Sequence, residues 1–256
     1  MALLKPQNKT NNQRKTVLAG LFFCFCVLFY LTDGFGLLAV QPKNSLEAYD
    51  WTELKAIANE IAEAENDSSA LEIATKYHIV DANGNIRADN TKEIKLRDGS
   101  INSVWISGIR RKEAQGDAIS GLVFSFCSPI ATKQIDPHES FTGGWDESDL
   151  RKWLNTDFYN NIPNSTSGFI KSVTGYSSAE KDGQIISVIT KDSLYIWSVD
   201  EVSAVAESLN PSISQIGIWL RTLDETNPSY FGIEARGQIS YEQCTQFHDV
   251  IPCFCY

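Results

Sequence analysis

The order of apolar and polar positions divides the chain into three stretches. Val17 to Leu31 is a continuous apolar run closed by Asp33. From Asp50 to His78 apolar residues recur at helical spacing. Leu54, Ile57, Ala58 and Ile61 form one stripe behind Asp50 as N-cap and Glu53 at N3, close to a capping box. Leu71, Ala74 and Tyr77 form a second stripe over about Ser69 to His78. The two predict a helical hairpin that either packs on the main domain or spaces it from a membrane. Beyond it the period shortens to two. Asn83-Gly84 and Asp98-Gly99 are hairpin-turn dipeptides flanking the alternating Glu93 to Leu96. Strands are predicted over 93–96, 103–109, 122–126, 169–173, 185–189, 194–197, 216–220, 230–235 and 250–255, with a short helix over 200–207. Short strands, few helices and long connections predict an α+β fold with a single mixed or antiparallel sheet.

Gly143 to Asn155 is the densest segment. Asp146 reads as an N-cap with Asp149 at N3, where negative charge suits the helix dipole. Trp145 and Leu150 have the spacing of a hydrophobic staple. Leu150, Trp153, Leu154 and Phe158 form the apolar face, and Glu147 with Arg151 has the order of an exposed i,i+4 ion pair. Both tryptophans are expected to be core.

Composition changes the picture at the ends. The chain has 256 residues, 43% of them hydrophobic, and a net charge of −10. Lys5, Lys9, Arg14 and Lys15 precede the apolar run. Setting those four bases and Asp33 aside leaves 18 bases and 31 acids, a charge of −13. An acidic body excludes nucleic acid as the expected partner. Thr16 to Thr32 carries no charge and as a helix spans roughly 25 Å, the short end for crossing a bilayer. The basic flank places the N-terminus inside and the body outside. A cleaved signal peptide is the rival reading, and both export the domain. The expected organisation is a cytoplasmic leader over 1–15, a membrane anchor or signal segment over 16–40, a linker and helical spacer over 41–91, and an α+β domain over 92–256.

Candidate chemistry adds little. There is no G-x-S-x-G elbow, no G-x-G-x-x-G and no Walker loop. A Cys127–His138 nucleophile pair has no local support. Asp81 to Asn85 reads as a turn, since its glycine comes too early for a calcium loop. Four cysteines lie in the exported part. Cys253 and Cys255 share one strand face, either as buried thiols or with one of them bonded to Cys244. Cys244, His248, Cys253 and Cys255 form a metal-ligand candidate whose spacing departs from common zinc patterns, so no metal or other cofactor is expected. Among 32 acids no catalytic carboxylate pair stands out. The remaining class is binding. Trp105, Trp145, Trp153, Trp197 and Trp219, with Arg151, Asn155 and Arg221, are candidates for a groove taking a surface glycan or peptide, although a core ring at Trp219 and an Arg221 paired to a buried carboxylate is the simpler reading.

Four blocks in order carry a resemblance: Gly143-Gly144-Trp145 leading to Leu150-Arg151-Lys152-Trp153-Leu154-Asn155; Lys191 to Ser198 followed by Glu201-Val202; Ile218-Trp219-Leu220-Arg221-Thr222; and the terminal Val250 to Cys255. Over about 92–256 they resemble the bacterial domain of unknown function 6273 family. That resemblance implies an exported or surface-anchored protein with a layout loosely similar to C-type-lectin-like and formylglycine-generating folds. The Asp50 to Val80 helices look like a segment found ahead of such domains. Asp249-Val250-Ile251-Pro252 stands where the family would have an arginine-bearing turn. The expectation is a membrane-anchored extracellular recognition or scaffolding module of the bacterial cell surface without catalysis, the alternative being an extracytoplasmic enzyme using a metal or a reactive cysteine.

Overall fold

The computed structural model describes residues 39–138, 141–205, 216–224, 229–234 and 238–256. The anchor expected over 16–40 lies outside them except for its last two residues. Among the described residues no helix is long and apolar enough to cross a membrane.

Pro42–Tyr256 forms one compact unit. It begins with two helices, α1 (Trp51–Ala62) and α2 (Asp67–Lys76). Asp50 and Glu53 make the capping box of α1, and the predicted stripe of Leu54, Ile57, Ala58 and Ile61 is buried. The cap of α2 is Asn66, whose side chain accepts from Ser69 N. The hairpin packs on the body. The ring of Trp51 meets Phe124 and Tyr256 edge-on, with centroids 5.9 Å away in both cases. A Cβ on Gly121 would lie 1.7 Å from the Ala58 carbonyl oxygen, so helix and strand touch backbone to backbone.

Among the described residues the single sheet expected from the sequence is three. The first has the order β1 (Thr91–Lys95), β2 (Ile101–Lys112), β3 (Ile119–Phe126) and β11 (Cys253–Cys255), all antiparallel. The second runs β4 (Ala131–Lys133), β10 (His248–Val250), β7 (Ile218–Leu223), β8 (Tyr230–Ile233) and β9 (Ile239–Glu242), with β10 and β7 parallel. The third is the hairpin of β5 (Val173–Lys181) and β6 (Gln184–Asp192). The terminal strand expected over 250–255 is therefore two strands in different sheets. Pro252 has no amide to donate, so the ladder breaks there and the chain crosses from one sheet to the other.

Two more expectations need correction. The strand placed at 169–173 belongs to 173–181, because the buried positions after Val173 are the small Thr174, Gly175, Ser177 and Ala179, which give little apolar signal. The helix expected to start at Asp146 is interrupted. It comprises α3 (Gly144–Glu147) and α4 (Asp149–Trp153), with an extended Ser148 between them whose hydroxyl accepts from Arg151 N at 3.2 Å. It continues as a π-turn over Leu154–Phe158, then α5 (Tyr159–Asn161) and α6 (Asn164–Ser167). Gly143 and Gly144 both adopt positive φ, 75° and 54°, and a Cβ on Gly144 would fall 2.0 Å from the Ser178 carbonyl oxygen. The last helix among the described residues is α7 (Val199–Val205).

Candidate functional site

The break at Ser148 interrupts the i,i+4 register on which a Glu147–Arg151 pair depends. Arg151 turns instead to Asp146, 3.0 Å away, and to Asp192, whose Oδ1 accepts from its Nε at 2.5 Å. Asp192 is buried and also accepts from the Trp145 indole at 3.1 Å. Asn155 completes the arrangement. Its Oδ1 accepts from Ser193 N and Leu194 N at 2.9 and 3.0 Å, and its amide donates to the Leu194 carbonyl at 2.8 Å. These three predicted residues, Trp145, Arg151 and Asn155, clamp the end of β6 and the segment that follows it. Tyr195 is held by paired backbone bonds to Cys253.

That clamped segment forms one wall of a pocket of about 460 Å³. Arg111 from β2, Gly175 and Tyr176 from β5, Tyr195 and Trp197 from the segment, Glu201 from α7 and Arg221 from β7 converge there. Arg221 is 3% exposed. Its Nη1 donates to Glu201 Oε2 at 2.5 Å and to the Ile196 carbonyl, and its Nε donates to the Tyr176 carbonyl at 3.2 Å. Arg111 donates through Nη1 to the Thr174 carbonyl at 3.1 Å and lies 3.4 Å from Glu201 Oε1. Both guanidinium carbons sit 5.2 Å from the centroid of the Tyr195 ring, within cation–π range. Glu201 also closes a capping box: Ser198 Oγ accepts from its amide and its Oε2 accepts from Ser198 N.

Electrostatically the pocket floor is two cations around one anion. Burial alone would raise the Glu201 carboxyl, but Arg221 and then Arg111 outweigh it and hold it down at about 2. Burial likewise disfavours charge on Arg111, yet Tyr195 and Glu201 more than offset it, so the guanidinium stays charged. The floor thus carries one excess positive charge within a strongly acidic protein.

Among the other sequence candidates, Trp219 is buried against Tyr230 and His248, and its indole donates to the Lys133 carbonyl at 2.7 Å. Trp153 is half-buried, stacked on Phe158 beneath the Lys133 ammonium. Trp105 is buried. His248 lies 3.1 Å from Glu242, and the ligand atoms of Cys244, His248, Cys253 and Cys255 do not gather into one cluster. All four cysteines among the described residues are thiols rather than disulfides. Cys253 and Cys255 do share a face, meeting Ser125 Oγ at 3.0 Å and Tyr195 Oη at 3.3 Å, while Phe254 stacks on Phe124 on the other. Burial raises both thiols and pushes Cys127 up to about 11. Asp136, His138 and Asp149 lie close together on the surface.

Of the residues named in advance, Arg221 and Trp197 line the pocket. The carboxylate partner expected for Arg221 is Glu201, whereas its identity and the parts of Arg111, Tyr195 and Gly175 were not anticipated. Ser198-x-x-Glu201 is a capping-box signal that would have fixed the start of α7 and the place of Glu201. Arg111 stands between Arg110 and Lys112, and no sequence pattern separates it from them.

Residues 122–248 match the sequence model of a family described as Domain of unknown function (DUF6273). No curated protein and no solved structure matches the chain.

Proposed function

Through residues 122–248 the chain belongs to the DUF6273 family, and on that footing we propose that it is a non-catalytic recognition module of the bacterial cell surface. In this reading the basic leader and apolar run anchor it, and the Pro42–Tyr256 unit faces outward. The observation that carries the reading is the Arg111–Arg221 pocket: a preformed concavity with aromatic walls and charged donors at its floor, within the size range of small-molecule sites, about 300–1,000 Å³. The ionisable groups of the pocket and of the adjoining strand β11 support binding rather than turnover. Glu201 is held ionised between two guanidinium groups, which ill suits a proton donor at neutral pH. Cys253 and Cys255 are buried thiols whose pKa values are raised, the reverse of an activated nucleophile.

The test is a glycan and peptide array probed with purified residues 41–256, with and without a chelator. We expect hits that survive chelation and weaken when Arg111 is replaced. An absence of hits in both formats would end the recognition reading in favour of a structural envelope component. Hits lost on chelation would instead support a metal-dependent site.

A further inference from the structure

The pocket floor and the pocket rim have different chemistry, and together they define a ligand class. This step rests on the recognition reading above. At the floor, the Nη2 atoms of Arg111 and Arg221 converge over Gly175, where a Cβ would lie 2.8 and 3.5 Å from them. Nη2 of Arg221 donates to no protein acceptor among the described residues, although the side chain is 97% buried and lines the cavity. Nη2 of Arg111 has only the long 3.4 Å approach of Glu201. Two neighbouring guanidinium groups thus hold donors in reserve, pointed at the same space. Glu201 neutralises one of the two charges, leaving the floor matched to a single negative charge.

The rim is not cationic. Asp200 and Glu113 stand there beside Lys112, with the Ser198 hydroxyl and the 60% exposed Tyr176, whereas Ser107 is buried with its hydroxyl accepting from Ser125. An oxyanion with an apolar tail would find the two rim carboxylates unfavourable. A ring bearing several hydroxyls would donate to them and lay its C–H face against an aromatic side chain.

We propose that the pocket binds an acidic sugar unit of the uronic acid class. Its carboxylate sits on the Arg111 and Arg221 Nη2 donors above Gly175, and its hydroxyls reach Asp200 and the Ser198 hydroxyl. A carboxylate fits this floor because its two oxygens accept from paired N–H groups of guanidinium. Gly175 belongs to the design, since any larger residue would put a methyl group where the carboxylate meets the arginines.

The experiment uses the 41–256 unit and three probes: sodium glucuronate, glucose, and N-acetylalanine, which carries a carboxylate without a sugar. Binding is followed by the NMR shift of the Trp197 indole. Glucuronate should shift it in a saturable way, and glucose and N-acetylalanine at least tenfold more weakly. Arg111→Gln should weaken glucuronate binding at least tenfold, the scale of losing a charge-assisted hydrogen bond. Gly175→Ala is the second variant, because its methyl would crowd only the far end of the Arg111 side chain, standing in ordinary contact with Arg221, and the fold should survive; it should weaken glucuronate comparably with little change in melting temperature. Equal binding of glucose and glucuronate would overturn the role of the carboxylate. N-acetylalanine binding as well as glucuronate would overturn the sugar assignment. No glucuronate binding, or binding indifferent to both variants, would overturn the proposal as a whole. If the array nevertheless gives hits, recognition stands and only the ligand class is wrong.

Discussion

At the scale of single residues, the most consequential side chain is Glu201. It caps a helix, neutralises one of two arginines and sets the charge of the pocket. Its folded pKa of about 2 lies below the usual 4.5, so its contribution is fully present above about pH 4.5 and is lost as pH falls toward 2. The depression corresponds to on the order of 3 kcal/mol. Urea unfolding of the native protein and of Glu201→Gln should therefore differ clearly at pH 7 and converge near pH 2. A difference that is constant with pH would show that the carboxylate gains nothing from its arginines. Asp192 matters by geometry, almost fully buried between the Trp145 indole and Arg151.

At the scale of elements, local signals fared best where both the cap and the stripe lay within one segment. α1 was legible to its N-cap because Asp50, Glu53 and four apolar residues all sit within twelve positions of one another. The Trp145 helix was legible as a helix but not in its break, since Ser148 competes with Asp146 for the capping role and only the packing of Trp145 onto Asp192 settles it. Of the β5–β6 hairpin, the strand read at 185–189 falls within β6, but β5 and the turn escaped, although Asp182-Gly183 at the tip, both with positive φ, is the very dipeptide used to find the Asp98-Gly99 turn. The contact between α1 and β3 gives a test at this scale. Gly121→Ala would drive a methyl group into the Ala58 carbonyl, where neither backbone can yield easily. We expect a loss of about 3 kcal/mol in chemical denaturation. A variant as stable as the native protein would mean that the helical hairpin is only loosely attached.

Across the whole molecule, the last residues connect the parts. His248–Val250 lies in one sheet, Cys253–Cys255 lies between β3 and the bridges to Lys171 and Tyr195, and Tyr256 packs fully buried against Trp51 and Phe169. A strand that contacts the hairpin, the first sheet and the pocket wall should make the unit unfold as one. Removing Cys253 to Tyr256 should abolish the cooperative thermal transition in calorimetry, whereas the intact unit should show a single one. Two separate transitions in the intact unit would show that the sheets fold independently.

By itself the sequence determined what depends on neighbours along the chain. It specified the capped helix and its buried stripe, the hairpin turn at Asp98-Gly99, the shared face of Cys253 and Cys255, the α+β class and the family, since periodicity, capping and motif order are all local. The tertiary structure alone decided that the strands form three sheets, that the helical pair packs against one of them, and that Arg111 and Arg221, 110 positions apart, share Glu201 and a pocket. The physical reason is that an arginine on a strand looks the same in sequence whether it ends in water or over a carboxylate it shares with a second arginine. What distinguishes the two is which distant backbone comes to lie beside it.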